Sequence, residues 1–248
     1  MQLTKYSANG NDFVIFHTFI KKERSELARK LCDRQNGIGA DGLIVIVPHN
    51  EYDFEWQFYN ADGSEAEMCG NGSRAAAHYA YSNELAPEKM RFLTLAGVIE
   101  AHVEGDVVES ELTPPKILRQ DIEHNGTIWW KIDTGVPHLV ALLESIEIFD
   151  IKTARALRYE HNANVNIATI DTKGSLHVRT YERGVEDETL ACGTGMAAAF
   201  YRALRERRVQ EAVRVYPKSG DKLYLRFQNE TIFFKGAVTP VFTTTIAV

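Results

Sequence analysis

Short runs that either alternate apolar with polar positions or are rich in β-branched and aromatic residues dominate this chain, separated by turn residues. Such runs occur at Phe13–His17, Leu43–Val47, Phe54–Tyr59, Met90–Leu95, Val98–Val103 and Val107–Leu112. After Pro114-Pro115 they resume at Thr127–Ile132, His138–Leu142, Val165–Ile170, Leu176–Tyr181, Val213–Tyr216, Leu223–Phe227 and Thr231–Phe234. Each predicts a strand, and the start, Met1-Gln2-Leu3-Thr4-Lys5, reads directly into another. Helical stretches are few. Lys22–Cys32 predicts a charged surface helix, Lys152–Leu157 a short one, and Gly70–Asn83 and Gly193–Arg207 two alanine-rich helices. Many strands with few helices predict an α+β fold. The alanine-rich helices are expected inside it, because small side chains let sheets approach a helix closely.

The Pro114-Pro115 step interrupts helix and ladder hydrogen bonding alike, and so predicts a boundary. It gives a first lobe of residues 1–115 and a second of 116–238, with a last strand at about 239–248 that can return to the first. The halves resemble each other at one place. Cys69-Gly70-Asn71-Gly72-Ser73-Arg74-Ala75-Ala76 matches Cys192-Gly193-Thr194-Gly195-Met196-Ala197-Ala198-Ala199 as C-G-x-G-x-x-A-A. Each copy follows a strand ending in tyrosine, Tyr59 or Tyr181, and a polar linker rich in acidic residues. A lone C-G-x-G is weak evidence. Two in matching strand–turn–helix contexts predict pseudo-symmetric lobes.

Charge and composition narrow the function. A net charge of −6 and a pI near 5.8 argue against a nucleic-acid or anionic-membrane partner. The basic cluster Arg202-Ala203-Leu204-Arg205-Glu206-Arg207-Arg208 closes a predicted helix and suits its dipole. No apolar run reaches the ~18 residues of a membrane span, and the start lacks a signal peptide's apolar segment, so a cytoplasmic location is expected. Cys32, Cys69 and Cys192 lie far apart without a C-x-x-C pair, which points away from a disulfide framework or a zinc knuckle. No metal site is expected.

The duplicated cysteine carries the chemistry. A cysteine at the N-cap or first position of a helix meets unpaired N–H groups and the positive end of the dipole. That setting lowers a thiol pKa from its free value of about 8.5. The flanking glycines let an anion such as a carboxylate reach the amides. A buried cysteine beside a glycine turn is the plain alternative, and Cys32 keeps it; for the pair, it needs the same accident twice. Two such units acting on one carboxylate place two thiols about the carbon attached to it. One takes a proton, the other delivers one, and a stereocentre inverts without a cofactor. The amides and dipoles stabilise the enolate-like charge that develops.

Asn60-Ala61-Asp62-Gly63-Ser64 with Met68-Cys69-Gly70-Asn71-Gly72-Ser73-Arg74, Gly10-Asn11-Asp12-Phe13 and Gly37-Ile38-Gly39-Ala40-Asp41-Gly42 resemble the signatures of the diaminopimelate epimerase family. Tyr181-Glu182-Arg183-Gly184 and Ala191-Cys192-Gly193-Thr194-Gly195 resemble its second half. The resemblance implies two lobes, each a curved, mainly antiparallel sheet around a central helix. It also implies interconversion of LL and meso 2,6-diaminopimelate without pyridoxal phosphate, in lysine and peptidoglycan precursor biosynthesis. Carried over, Cys69 and Cys192 are the acid/base pair, and Gly70, Asn71, Gly193 and Thr194 hold the reacting carboxylate. Asn11, Asn60, Asn166, Glu182 and Arg183 match the family's grip on the distal end. An arginine and amides suit a carboxylate there, and an acidic group suits an ammonium.

Two departures stand out. Gly135-Val136-Pro137-His138 occupies the place of the family's G-N-P-H, so a carboxylate donor is replaced by valine, while His138 remains as a modulator of thiol ionisation or a structural residue. The Glu182–Cys192 segment is one residue longer than expected and carries Glu186, Asp187 and Glu188. Two other readings stay open: a two-cysteine racemase acting on proline or hydroxyproline, and a thiol redox or binding protein. A small-molecule substrate is expected, and a homodimer is left open.

Overall fold

In the computed structural model of the protein, residues 1–246 are described. The chain gathers into two compact units, Met1–Glu111 with the residues from Lys235 onward, and Leu112–Phe234. The first contains β1 (Gln2–Ala8), β2 (Asn11–His17), α1 (Ser25–Cys32), β3 (Gly42–Val47), β4 (Phe54–Asn60), α2 (Gly70–Ser82), β5 (Lys89–Thr94), β6 (Gly97–Glu104) and β7 (Val107–Glu111). β1 and β2 form an antiparallel hairpin, β2 runs parallel to β3, and β3 is antiparallel to β4. β4 is parallel to β5, and β6 and β7 follow antiparallel. A tight turn cannot close a parallel pair; α1 bridges the first of these and α2 the second.

The run Gly42-Leu43-Ile44-Val45-Ile46-Val47 is apolar because both faces of β3 are covered. Ile44 and Ile46 pack with Ala75, Ala76, Ala77 and Ala80 of α2. Leu43, Val45 and Val47 pack with Ala28, Leu31 and Cys32 of α1. α2 is buried from Gly70 to Ala80, so the expectation that it lies inside holds. An alanine enlarged to leucine there would overpack the unit by about 1–3 kcal/mol.

The second unit contains β8 (Lys116–His124), β9 (Thr127–Asp133), β10 (Pro137–Leu142), α3 (Ile151–His161), β11 (Asn164–Ile170) and β12 (Leu176–Glu182). It continues with β13 (Asp187–Thr189), α4 (Gly193–Arg205), β14 (Ala212–Tyr216), β15 (Leu223–Gln228) and β16 (Thr231–Ala237), which carries the chain back out. Its internal order repeats that of the first. A β9–β10 hairpin is followed by a parallel step to β11 through α3. An antiparallel step to β12 leads to a parallel step to β14 through α4, then to antiparallel β15. Ala154 and Leu157 of α3 pack on Leu139, Ala141, Val165 and Ile167. The architecture is α+β, with a mainly antiparallel sheet and a buried alanine-rich helix in each unit. The strand expected at about 239–248 is β17 (Thr239–Thr245), antiparallel to β1; residues 247–248 of that expectation lie outside the described ones.

Four elements differ from the sequence pattern, one of them the short β13, which pairs back on β12 where a polar linker is expected. β8 escapes it because Ile122 alone is buried and two register shifts against β9 break the alternation. α1 starts at Ser25 rather than Lys22, because the Arg24 guanidinium is folded onto Lys22 O at 2.9 Å and Gln57 Oε1 at 2.5 Å. α3 extends to His161, capped at its start by Asp150 and ended by Asn162 at φ 48°.

Candidate active site

In the first unit Cys69 is the N-cap of α2, with extended φ −148° and ψ 116°. Its carbonyl accepts from Ser73 N at 2.8 Å, and its Sγ accepts from Gly72 N at 3.4 Å. Gly70 and Asn71 belong to the first turn, where a helix offers its N–H groups no internal acceptor. The Asn71 side chain turns inward: Nδ2 donates to Asn11 Oδ1 at 2.7 Å, and Asn11 Nδ2 donates to Asp41 Oδ2 at 3.0 Å. Asp41 and Asp12 bond to each other's backbone N–H, and Asp12 takes both Arg34 nitrogens and Lys5 Nζ. Burial works against the Asp12 charge, yet these cations prevail and hold its carboxyl at about 2. Asn11 therefore rests on a fixed ionic cluster. Asn60 closes β4 on the surface, its Nδ2 on Ser64 Oγ at 3.0 Å, as a turn residue would be.

In the second unit Cys192 is the N-cap of α4, again extended, with its carbonyl accepting from Met196 N at 2.9 Å. Its Sγ is 3.5 Å from Thr194 Oγ1. The turn is held from beneath. Thr134 Oγ1 donates to Thr194 O at 2.9 Å, from the same turn that carries Val136. Asn166 lies under Gly195 so closely that a Cβ there would overlap its Oδ1. That glycine is thus required by packing, a reason the sequence pattern does not disclose. Asn166 is fully buried: Nδ2 donates to His138 Nδ1 at 3.0 Å and Leu139 O at 2.9 Å, and Oδ1 accepts from Thr180 Oγ1 at 2.8 Å. Burial pushes His138 down to about 3, and the positive charge of Arg183 adds to it, so its ring is neutral.

Glu182 and Arg183 stand half-buried at the end of β12. Arg183 N donates to Asn164 Oδ1 at 2.7 Å, and Nη1 reaches Asn162 O and Oδ1 at 3.3 Å. The segment beyond is a hairpin, β13 pairing back on β12. Two of its acidic residues face bases of their own unit: Glu186 pairs with Arg158 at 2.5 Å, and Glu188 takes a bidentate grip from Arg179 plus Lys218 at 2.7 Å. Burial opposes the Glu188 charge, but these bonds hold its carboxyl below the usual range. The hairpin folds back onto β12.

Cys69, Gly70, Asn71 and Asn11 are thus brought together in one unit, and Cys192, Gly193, Thr194, Asn166 and His138 in the other. Of the supporting residues, Asp41 belongs to the Gly37–Gly42 motif, while Asn9, Thr134, Asn164 and Thr180 carry none of their own. Thr180 left a signal: it continues the inward series Leu176 and Val178 of β12 with a polar side chain. Asn164 left another, sharing a strand face with Asn166. Among the described residues, no group of three or more His, Cys, Asp or Glu is arranged to hold a metal ion, and no helix is long and apolar enough to cross a membrane.

A family model described as diaminopimelate epimerase matches residues 3–118 and 130–239. The chain is 68% identical over 244 residues to a diaminopimelate epimerase of a Nitratiruptor species, covering 98% of each. It is 52% identical to that of Campylobacter lari, covering 96% of each, and 44% identical to that of Helicobacter pylori, covering 96% of this chain and 93% of that one. Among solved structures, a probable proline racemase from Agrobacterium radiobacter has a TM-score of 0.80 at 13% identity, covering 100% and 93%. A hydroxyproline epimerase from Agrobacterium vitis has 0.72 at 13% identity, covering 98% and 91%. These two likenesses establish the fold, and the sequence relatives go further: the chain belongs to the diaminopimelate epimerase family.

Proposed function

We infer that this protein is a cofactor-independent epimerase that inverts one Cα of 2,6-diaminopimelate between the LL and meso forms, in lysine and peptidoglycan precursor biosynthesis. The observation that carries the reading is the twice-built cysteine N-cap: Cys69 on α2 and Cys192 on α4, each with a glycine-opened first turn. The relatives at 44–68% identity are named for this activity.

Inversion needs a base on one face of Cα and an acid on the other, with roles that exchange when the direction reverses. Two thiols satisfy this, because either can serve as base when ionised and as acid when protonated. The Cα–H is a weak acid, so the negative charge that spreads onto the carboxylate must be stabilised as it forms. First-turn amides at Gly70, Asn71, Gly193 and Thr194, with the positive ends of two helix dipoles, supply that stabilisation without a cation. Asn11, Asn60, Asn166, Glu182 and Arg183 grip the unreacting amino-acid end. Asn166 also packs under Gly195 of the α4 turn and donates to the His138 ring.

The test is proton exchange. In deuterated solvent under reducing conditions, diaminopimelate is expected to gain deuterium at Cα while proline does not. Exchange into proline with diaminopimelate untouched would transfer the assignment to the racemase reading.

A further inference from the structure

Arg74 stands among the alanines of α2 with a fully buried side chain. It folds back toward the helix start, the direction long helical side chains take. Nε donates to Gly70 O at 3.3 Å, Nη2 to Asn71 Oδ1 at 2.5 Å and Nη1 to Asn9 Oδ1 at 2.8 Å. Asn9 and Gly10 form the two-residue turn between β1 and β2, with φ of 49° and 95°, a geometry that Asn-Gly favours. One planar group therefore touches the turn that follows Cys69 and the turn that precedes Asn11. Asn71 completes the loop, its Oδ1 on Arg74 and its Nδ2 on Asn11.

The second unit is built differently. Ala197 occupies the matching place after Cys192, and there Thr134 and Asn166 support the turn. The arginine is thus a feature of the Cys69 unit rather than a requirement of the repeated turn.

We propose that Arg74 is a positioning residue that locks the Cys69-Gly70-Asn71 turn to the Asn9-Gly10-Asn11 hairpin. The grip on the reacting carboxylate and the Asn11 contact to the distal end then keep a fixed separation. This rests on the reading above, in which Cys69 and Asn11 serve one substrate. A guanidinium suits the task because its rigid fork donates in several directions in one plane, which a lysine ammonium on a flexible stem does not reproduce.

Two variants of the full chain test it. Asn9→Gly keeps the turn, since glycine adopts positive φ without strain, and deletes the acceptor. Arg74→Lys keeps a cation and deletes the fork. Each is expected to lower kcat/KM for diaminopimelate about tenfold, chiefly through kcat, because the thiol and the held substrate lose their mutual placement. The double variant should lose no more than the worse single one, as residues of one network do. Alkylation by iodoacetamide, followed peptide by peptide, should change several-fold at Cys69 in both variants and stay at the wild-type rate at Cys192. Wild-type kcat/KM and Cys69 alkylation in Asn9→Gly, or losses that simply add, would overturn the proposal. If Arg74→Lys does not fold, Asn9→Gly decides alone. A wild-type protein inert toward diaminopimelate overturns the functional reading instead, and the alkylation rates then decide the role of Arg74 without turnover.

Discussion

Asn166 Nδ2 donates to His138 Nδ1 at 3.0 Å, and neither side chain is exposed to solvent. The bond places Nδ1 as the acceptor and so fixes the orientation of the ring, while burial keeps the ring neutral. With its pKa lowered by burial to about 3, His138 stays uncharged in the folded protein across the neutral range. The unfolded chain takes up its proton near the ordinary value of about 6.5. Stability from this group is therefore complete above that pH and is lost as pH falls toward 3. The urea midpoint of the wild type should fall more steeply across this window than that of His138→Gln. Parallel curves would show that His138 is not the group responsible.

Gly195→Ala should be destabilising, because the new Cβ meets the fully bonded Asn166 amide. A loss of about 1–3 kcal/mol is expected from such overpacking, measured by urea unfolding. In Gly72→Ala the nearest atom to an added Cβ is Cys69 Cβ at 3.3 Å, so that variant should be milder. The reverse order of stabilities would contradict the packing described for α4.

Cys69→Ser and Cys192→Ser separate the scaffold from the chemistry. Serine is a favoured N-cap, so both variants should unfold at or above the wild-type midpoint. An alcohol is a far weaker acid than a thiol, so epimerisation should drop about 10²–10⁴-fold in each, the range for a lost acid or base. Near-normal turnover in either would remove the two-thiol mechanism.

Arg183→Lys should raise KM for diaminopimelate about tenfold with a smaller effect on kcat, as expected for a lost bidentate contact. Asn164→Ala should act in the same direction, because its Oδ1 accepts the Arg183 N–H at 2.7 Å. Steady-state kinetics that leave both KM values unchanged would take Arg183 out of substrate binding.

Both cysteine turns can be read from the chain because their chemistry is local, with cap, glycines and alanines adjacent in sequence. The strands that alternate cleanly are legible for the same reason, and β8 is not, since its register shifts destroy the period. The supports under each turn come from afar: Thr134 lies 60 residues from Thr194, and Asn9 lies 65 from Arg74. No local pattern announces a partner at that distance. Asn166 shows the same limit: its place on a strand is legible, but its bonds to His138, Leu139 and Thr180, 14 to 28 residues away, are not.

Arg74 in one unit and Ala197 at the matching place in the other mean that the two thiols answer to unlike surroundings. A catalyst that interconverts mirror images gains from equivalent halves, because forward and reverse reactions ask the same of each. LL- and meso-diaminopimelate are diastereomers, set apart by a second stereocentre that does not react. For such a pair the two directions are different problems, and a duplicated scaffold whose copies have diverged around each cysteine can meet them separately.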